Sequence, residues 1–152
     1  MKIFLAKDSG YCFGVRDAVN LAYETVDKEG KVYMLGTIVH NEKVVEDLDA
    51  AGAKVVGSLD DIPADSSVLF RAHGTSPSVW EEAKKKNINI VDATCPLVTE
   101  IHQDIKELDK EGRKCIIIGD HGHDEVIAIA AQVKNPIIIA SKDEAIKLRK
   151  IR

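Results

Sequence analysis

Five residues of types that ligate metals, bind anions or move protons stand at matching points along this chain: Cys12, His40, His73, Cys95 and His123. Cys12 lies in FLAKDSGYCFGVRDAV and Cys95 in INIVDATCPLVTEIH, each after an apolar run and directly before an amphipathic helical pattern. A helix N-terminus favours thiolate over thiol, and the thiolate is the form that binds metal or attacks an electrophile. Both chemistries are open to such a pair. The 83-residue separation of Cys12 and Cys95 excludes the compact CxxC of dithiol redox motifs and weakens the case for a zinc knuckle. An iron–sulfur cluster, in contrast, accepts ligands from distant loops that the fold brings together. Imidazoles donate hydrogen bonds to phosphate oxygens and helix N-termini add backbone N–H donors, so the histidines suit an anion such as a diphosphate. Glu125, two residues after His123, is placed to donate a proton, with Glu42 as its counterpart in the first half of the chain.

The elements that must position these residues follow from hydrophobic periodicity. Short β-branched runs begin at Lys2 (KIFLA), Lys31 (KVYML), Ala53 (AKVV), Ser67 (SVLFR), Ile88 (INIVD), Lys114 (KCIIIG) and Pro136 (PIIIA), and each predicts a strand, INIVD a buried one. Between them, helical stripes such as Val15, Val19, Ala22, Val26 and Ile101, Ile105, Leu108 fill most gaps. Asn41 and Ser76-Pro77 read as helix starts. This alternation predicts an α/β fold of repeated βα modules with largely parallel sheets. Ligands bind at the carboxyl ends of parallel strands, where all five residues fall in βα loops, so one shared site is expected. Cys115 reads as a small apolar residue inside a strand. His102, flanked by Glu100, Gln103 and Asp104, reads as part of a solvated helix face, and His121 has no counterpart in the first half and no assigned role.

One offset relates the two halves. The 83 residues that separate Cys12 from Cys95 also separate His40 from His123, Gly36 from Gly119 and Glu42 from Glu125. KVYMLG falls on KCIIIG at the same offset, as duplication of one α/β module would produce. The division this predicts is an N-terminal strand and first Cys loop over 1–13, a first module over 14–95 and a second over 96–152. The second module lacks the strand that would answer SVLFRAHG, so it is expected to be incomplete and the chain to be a fragment or a truncated homologue.

The 152 residues are 45% apolar and 30% charged with a net charge of −4. Such a length can bury about 70% of its unfolded surface. The acidic balance argues against a nucleic-acid surface, and no apolar run approaches the ~20 residues that span a bilayer. The opening Met1–Ala6 run is too short for a signal peptide, and three cysteines without an export signal read as free thiols or metal ligands in a reducing, cytoplasmic compartment.

GYCFGV, LGTIVHN, FRAHGTSPSV, DATCPLV and GHDEV, in that order from Gly10 to Val126, resemble the successive motifs of the LytB/IspH family of 4-hydroxy-3-methylbut-2-enyl diphosphate reductases. The resemblance implies an oxidoreductase of the terminal step of non-mevalonate isoprenoid synthesis. Its 4Fe-4S cluster is held by three cysteines, its substrate is an allylic diphosphate, and its electrons come from a ferredoxin or flavodoxin-type donor. On the matching motifs, Cys12 and Cys95 would be cluster ligands, His40, His73 and His123 would contact the diphosphate, and Glu125 would supply the proton. The family's third cysteine lies in a third module of a pseudo-symmetric three-module fold, beyond this sequence, and Asp124 stands where the family commonly has Pro. Two other readings follow from the same residues: a noncatalytic α/β binding or assembly module, with self-association pooling cysteines from two chains, and a zinc-dependent phosphohydrolase.

Overall fold

In a computed structural model, which describes residues 1–7 and 9–148, the chain forms an α/β fold of two parallel sheets. The elements run α1 (Phe13–Glu29), β1 (Val32–Leu35), α2 (Glu42–Ala51), β2 (Ala53–Val56), β3 (Ser67–Phe70), α3 (Pro77–Lys85), β4 (Asn89–Asp92), α4 (Pro96–Lys110), β5 (Ile116–Ile118), α5 (Asp124–Ala130), β6 (Ile137–Ile139) and α6 (Lys142–Leu148). Strands β1 to β4 form one sheet in the order β2-β1-β3-β4, and β5 pairs with β6 in another.

The first sheet is covered on both faces, which is why its strands read as continuous apolar runs. Side chains alternate across a strand, so Val32, Met34 and Leu69 join Ala18, Ala22 and Val26 of α1 and Leu48 of α2 in one core. Tyr33, Val68 and Phe70 face the other way, against Ala83 of α3 and a 3-10 turn at Leu59–Asp61. Trp80 of α3 meets Phe70 edge to face, with ring centroids 5.1 Å apart. A smaller core of Ile105, Ile117, Val126 and Ala130 joins β5 to α4 and α5.

The 83-residue offset is reproduced in the hydrogen bonding. Tyr33 pairs with Lys54 in the first sheet and Ile116 with Ile137 in the second, at one and the same offset. Gly36 N–H donates to Val56 C=O and Gly119 N–H to Ile139 C=O, both at 3.0 Å. Arg16 N–H reaches Cys12 C=O and Thr99 N–H reaches Cys95 C=O, again both at 3.0 Å.

Four expectations are corrected. Lys2–Ala6, expected as the N-terminal strand of residues 1–13, carries no strand, and Ile3, Phe4 and Leu5 are more than 80% exposed, with no packing surface to cover them. β4 is an edge strand with a half-exposed pattern rather than a buried one. Cys115 lies one residue before β5, where its carbonyl accepts from Ile137 N–H and its side chain packs on the small core. On α4 the inward stripe is Val98, His102 and Ile105, so His102 is 9% exposed while Ile101 and Leu108 face outward. Residues 149–152 of the expected last helix lie outside the described residues.

Candidate functional site

The strand order places a topological switch point at β1 and β3. From β1 the chain crosses to β2 on one side, and from β3 it crosses to β4 on the other, so the loops after these neighbouring strands diverge and leave a crevice. His40 follows β1 and His73 follows β3. Backbone hydrogen bonds continue past the strand ends and tie the loops together. Ala72 N–H donates to Ile38 C=O at 3.2 Å, and Cys95 N–H donates to Ala72 C=O at 3.0 Å. A side-chain tie links the Cys12 loop to the His40 loop, since Asn41 Nδ2 donates to Tyr11 Oη at 3.3 Å. Asn41 also caps α2, its Oδ1 accepting from Val44 N–H at 3.1 Å.

The three histidines meet. The His40 and His73 ring centroids are 4.1 Å apart, and the His123 ring lies 5.5 Å from His40 and 6.1 Å from His73. His40 and His123 are exposed and His73 is half-buried. His123 caps α5 with its own ring: Glu125 N–H donates to His123 Nδ1 at 3.3 Å, so in the neutral ring the proton sits on Nε2, which remains a donor. The His73 pKa is pushed down to about 4, first by burial and then by the adjacent His40, Arg71 and His123, with Asp124 opposing. Its buried Nδ1 has no partner, so an imidazolium there would bury an unmet donor. A cavity of about 510 Å³ opens beside His40, lined by Thr37, Asn41 and Glu42 among others.

The two cysteines occupy equivalent places. Cys12 is the N-cap residue of α1 and Cys95 that of α4, and neither thiol makes a capping hydrogen bond. Gly14, two residues into the Cys12 helix, lies against the second cysteine: a Cβ on Gly14 would stand 2.5 Å from Cys95 Sγ. The missing side chain is what lets the Cys95 thiol approach the start of α1. Among the described residues, no group of three His, Cys, Asp or Glu side chains is gathered for a metal ion.

The LytB protein family model matches residues 3–152. The chain belongs to the LytB family. It is 39% identical to a 4-hydroxy-3-methylbut-2-enyl diphosphate reductase of Geobacter metallireducens, over all of this chain and 54% of that protein. It is 41% identical to the enzyme of the same name from Wolbachia pipientis, over 91% of this chain and 46% of that protein. The E-1-hydroxy-2-methyl-but-2-enyl-4-diphosphate reductase structure from Plasmodium falciparum superposes with a TM-score of 0.88 at 33% identity, covering 93% of this chain and 45% of that one. A structure of (E)-4-hydroxy-3-methyl-but-2-enyl diphosphate reductase, the terminal enzyme of the non-mevalonate pathway, gives a TM-score of 0.81 at 31% identity, over 93% and 52%. The LytB chain thus spans about half the length of the curated relatives it matches. No helix among the described residues is long and apolar enough to cross a membrane.

Gly14 and Arg71 near the site were not singled out by sequence reasoning, and His102 and Asp124 were read there in other roles. Gly14 carries a weak signal, a small residue two places after Cys12. His102 carries a stronger one, since it stands four residues after Val98 and three before Ile105, on the apolar stripe of α4. Its ring lies against Gly74, whose φ of 85° and lack of a Cβ admit it: a Cβ there would be 2.6 Å from His102 Cε1. Burial lowers the His102 pKa, as does Lys106, against the pull of Asp92 and Glu125. Arg71 and Asp124, from different halves of the chain, form an ion pair that no local pattern announces. His121, without an assigned role from sequence, is paired with Glu144 at 3.0 Å on the surface.

Proposed function

We propose that this chain supplies two cluster cysteines and a diphosphate-binding histidine trio to a 4Fe-4S-dependent reductase acting on 4-hydroxy-3-methylbut-2-enyl diphosphate. The observation that carries this reading is the convergence of His40, His73 and His123 from three βα loops, within 4.1 to 6.1 Å of one another. Imidazolium rings so close would repel one another, a repulsion that a shared anion relieves, and the N-termini of α2 and α4 add positive potential nearby. His123 Nε2–H, left free by the capping bond through Nδ1, donates to a phosphate oxygen. Cys12 and Cys95 would hold the cluster on the α1 and α4 side. When bound, the cluster supplies electrons and a Lewis-acidic iron.

Glu125, half-buried at the start of α5 beside His123, delivers a proton to the substrate hydroxyl so that it departs as water. The overall step breaks one C–O bond, consumes two electrons and two protons, and releases water with isopentenyl and dimethylallyl diphosphates as products. A cytoplasmic ferredoxin or flavodoxin-type donor fits the electron demand. On a division into a first Cys loop over 1–13 and modules at 14–95 and 96–152, each module's first helix directly follows a site cysteine, Cys12 before α1 and Cys95 before α4, and each module contributes a histidine after its first strand, His40 and His123.

The test is anaerobic iron and sulfide reconstitution of the wild-type chain and a Cys12→Ala/Cys95→Ala variant, with inorganic pyrophosphate titrated against the histidine ring protons by NMR. Iron and sulfide bound by the wild type and lost in the variant, with shifts at all three rings, is the expected result. Equal iron in both proteins, or ring protons unmoved by pyrophosphate, overturns the assignment.

A further inference from the structure

Resting on the anion-site reading of the histidine trio, we propose that the Arg71–Asp124 ion pair is the positioning element that sets His123 against His40 and His73. Arg71 directly follows β3, two residues before His73, and Asp124 directly follows His123 as the first residue of α5. Each charge is therefore fixed to a backbone segment that carries one of the imidazoles. The pair is largely covered, its side chains 24% and 34% exposed, so solvent screens it less than the other acid–base pairs on this surface. Arg71 is itself held in place. Its guanidinium lies over Gly36, where a Cβ would stand 3.1 Å from Nη1, so the end of β1 forms its berth.

Beside the packing of His102 and Val98 of α4 against Gly74, the two halves have few ties at this point. The β1–β4 sheet and the β5–β6 sheet share no strand pairing among the described residues. Gln132 Nε2 reaches Thr75 C=O only at 3.5 Å, and a cavity of about 120 Å³ remains between Arg71, Thr75, Asp124 and Ile127. Val126 and Ala130 fix α5 to β5 and α4, so what this loose contact leaves free is a shift of that unit against the first sheet, and His123 would shift with it. The ion pair removes that freedom. It also neutralises Arg71 beside His73, so that anion affinity depends on the imidazoles being in place rather than on a free guanidinium.

The experiment compares the full chain with Asp124→Asn, Arg71→Met and the double variant. Its readouts are the nuclear Overhauser cross-peak between the His40 and His123 rings in the free protein, the Kd for inorganic pyrophosphate, and the Tm. Positioning predicts a weakened cross-peak and a Kd raised about tenfold in each single variant, with no further loss in the double, as for residues acting through one shared contact. Asp124→Glu and Arg71→Lys, which keep the charges, should recover most of the affinity and carry the test if a neutral variant fails to fold. A lowered Tm with unchanged cross-peak and Kd would reduce the pair to a stability element and overturn the proposal. So would weaker binding in Arg71→Met with tighter binding in Asp124→Asn, which would make Arg71 a direct anion ligand. A wild-type chain that ignores pyrophosphate would refute the anion-site reading instead, and the cross-peak would still decide whether the ion pair places His123.

Discussion

Replacing His73 with Gln should flatten the acid side of the chain's stability profile. The His73 pKa falls from 6.5 to about 4 on folding, so between those values the unfolded chain binds a proton that the folded chain refuses. Stability then rises with pH across that window, and it is lost as pH falls from 6.5 towards 4. At about 1.4 kcal/mol per pK unit, the full loss is about 3 kcal/mol, and about 2 kcal/mol of it accrues between pH 6.5 and pH 5. His102, whose pKa is also lowered by burial, adds a slope of the same sign. The decisive quantity is therefore the difference between wild type and His73→Gln rather than the wild-type slope alone. Urea unfolding at pH 7 and pH 5 measures it, with an NMR titration of the His73 ring as a direct check. Wild type should lose about 2 kcal/mol more than the variant over that interval. Pyrophosphate, by favouring the imidazolium, should draw a proton onto His73 as it binds, visible as buffer-dependent heat in calorimetry. Equal losses in the two proteins, or a His73 titration near 6.5, would refute the claim that burial and neighbouring cations govern this ring.

Two further outcomes probe the supports of the site. Gly14→Ala should gain up to about 1 kcal/mol in helix propensity and lose about 1–3 kcal/mol to overpacking against Cys95, leaving a fold of equal or lower stability in urea. Because the added methyl displaces the Cys95 thiol, iron and sulfide uptake should fall, and undiminished uptake would show that this approach of α1 to Cys95 is not required. Asn41→Ala should cost about 1 kcal/mol from loss of the α2 cap, measured by urea unfolding, whereas Asn41→Asp should keep most of that stability because it keeps the acceptor for Val44 N–H.

What could be read from the chain alone was local or repetitive. β-branched runs marked β1 to β6 because strand preference in a short apolar run needs only neighbouring residues, and Asn41 and Pro77 marked helix starts because capping acts within one turn. The 83-residue offset carried further, since duplicated segments with the same turns and strands adopt the same register, and so Cys12 and Cys95 landed at equivalent helix caps. The residue types and loop positions of the histidines were legible for the same reason. Their convergence was not, because it depends on the strand order that makes β1 and β3 neighbours and leaves a crevice between their loops. Tertiary structure alone decided that Lys2–Ala6 stays unpaired, that β4 lies at an edge, and that α4 turns His102 inward. It also joined Arg71 to Asp124 across more than fifty residues of sequence. Strand pairing and helix burial are fixed by which surfaces meet, and that free energy belongs to contacts between distant segments rather than to any one of them.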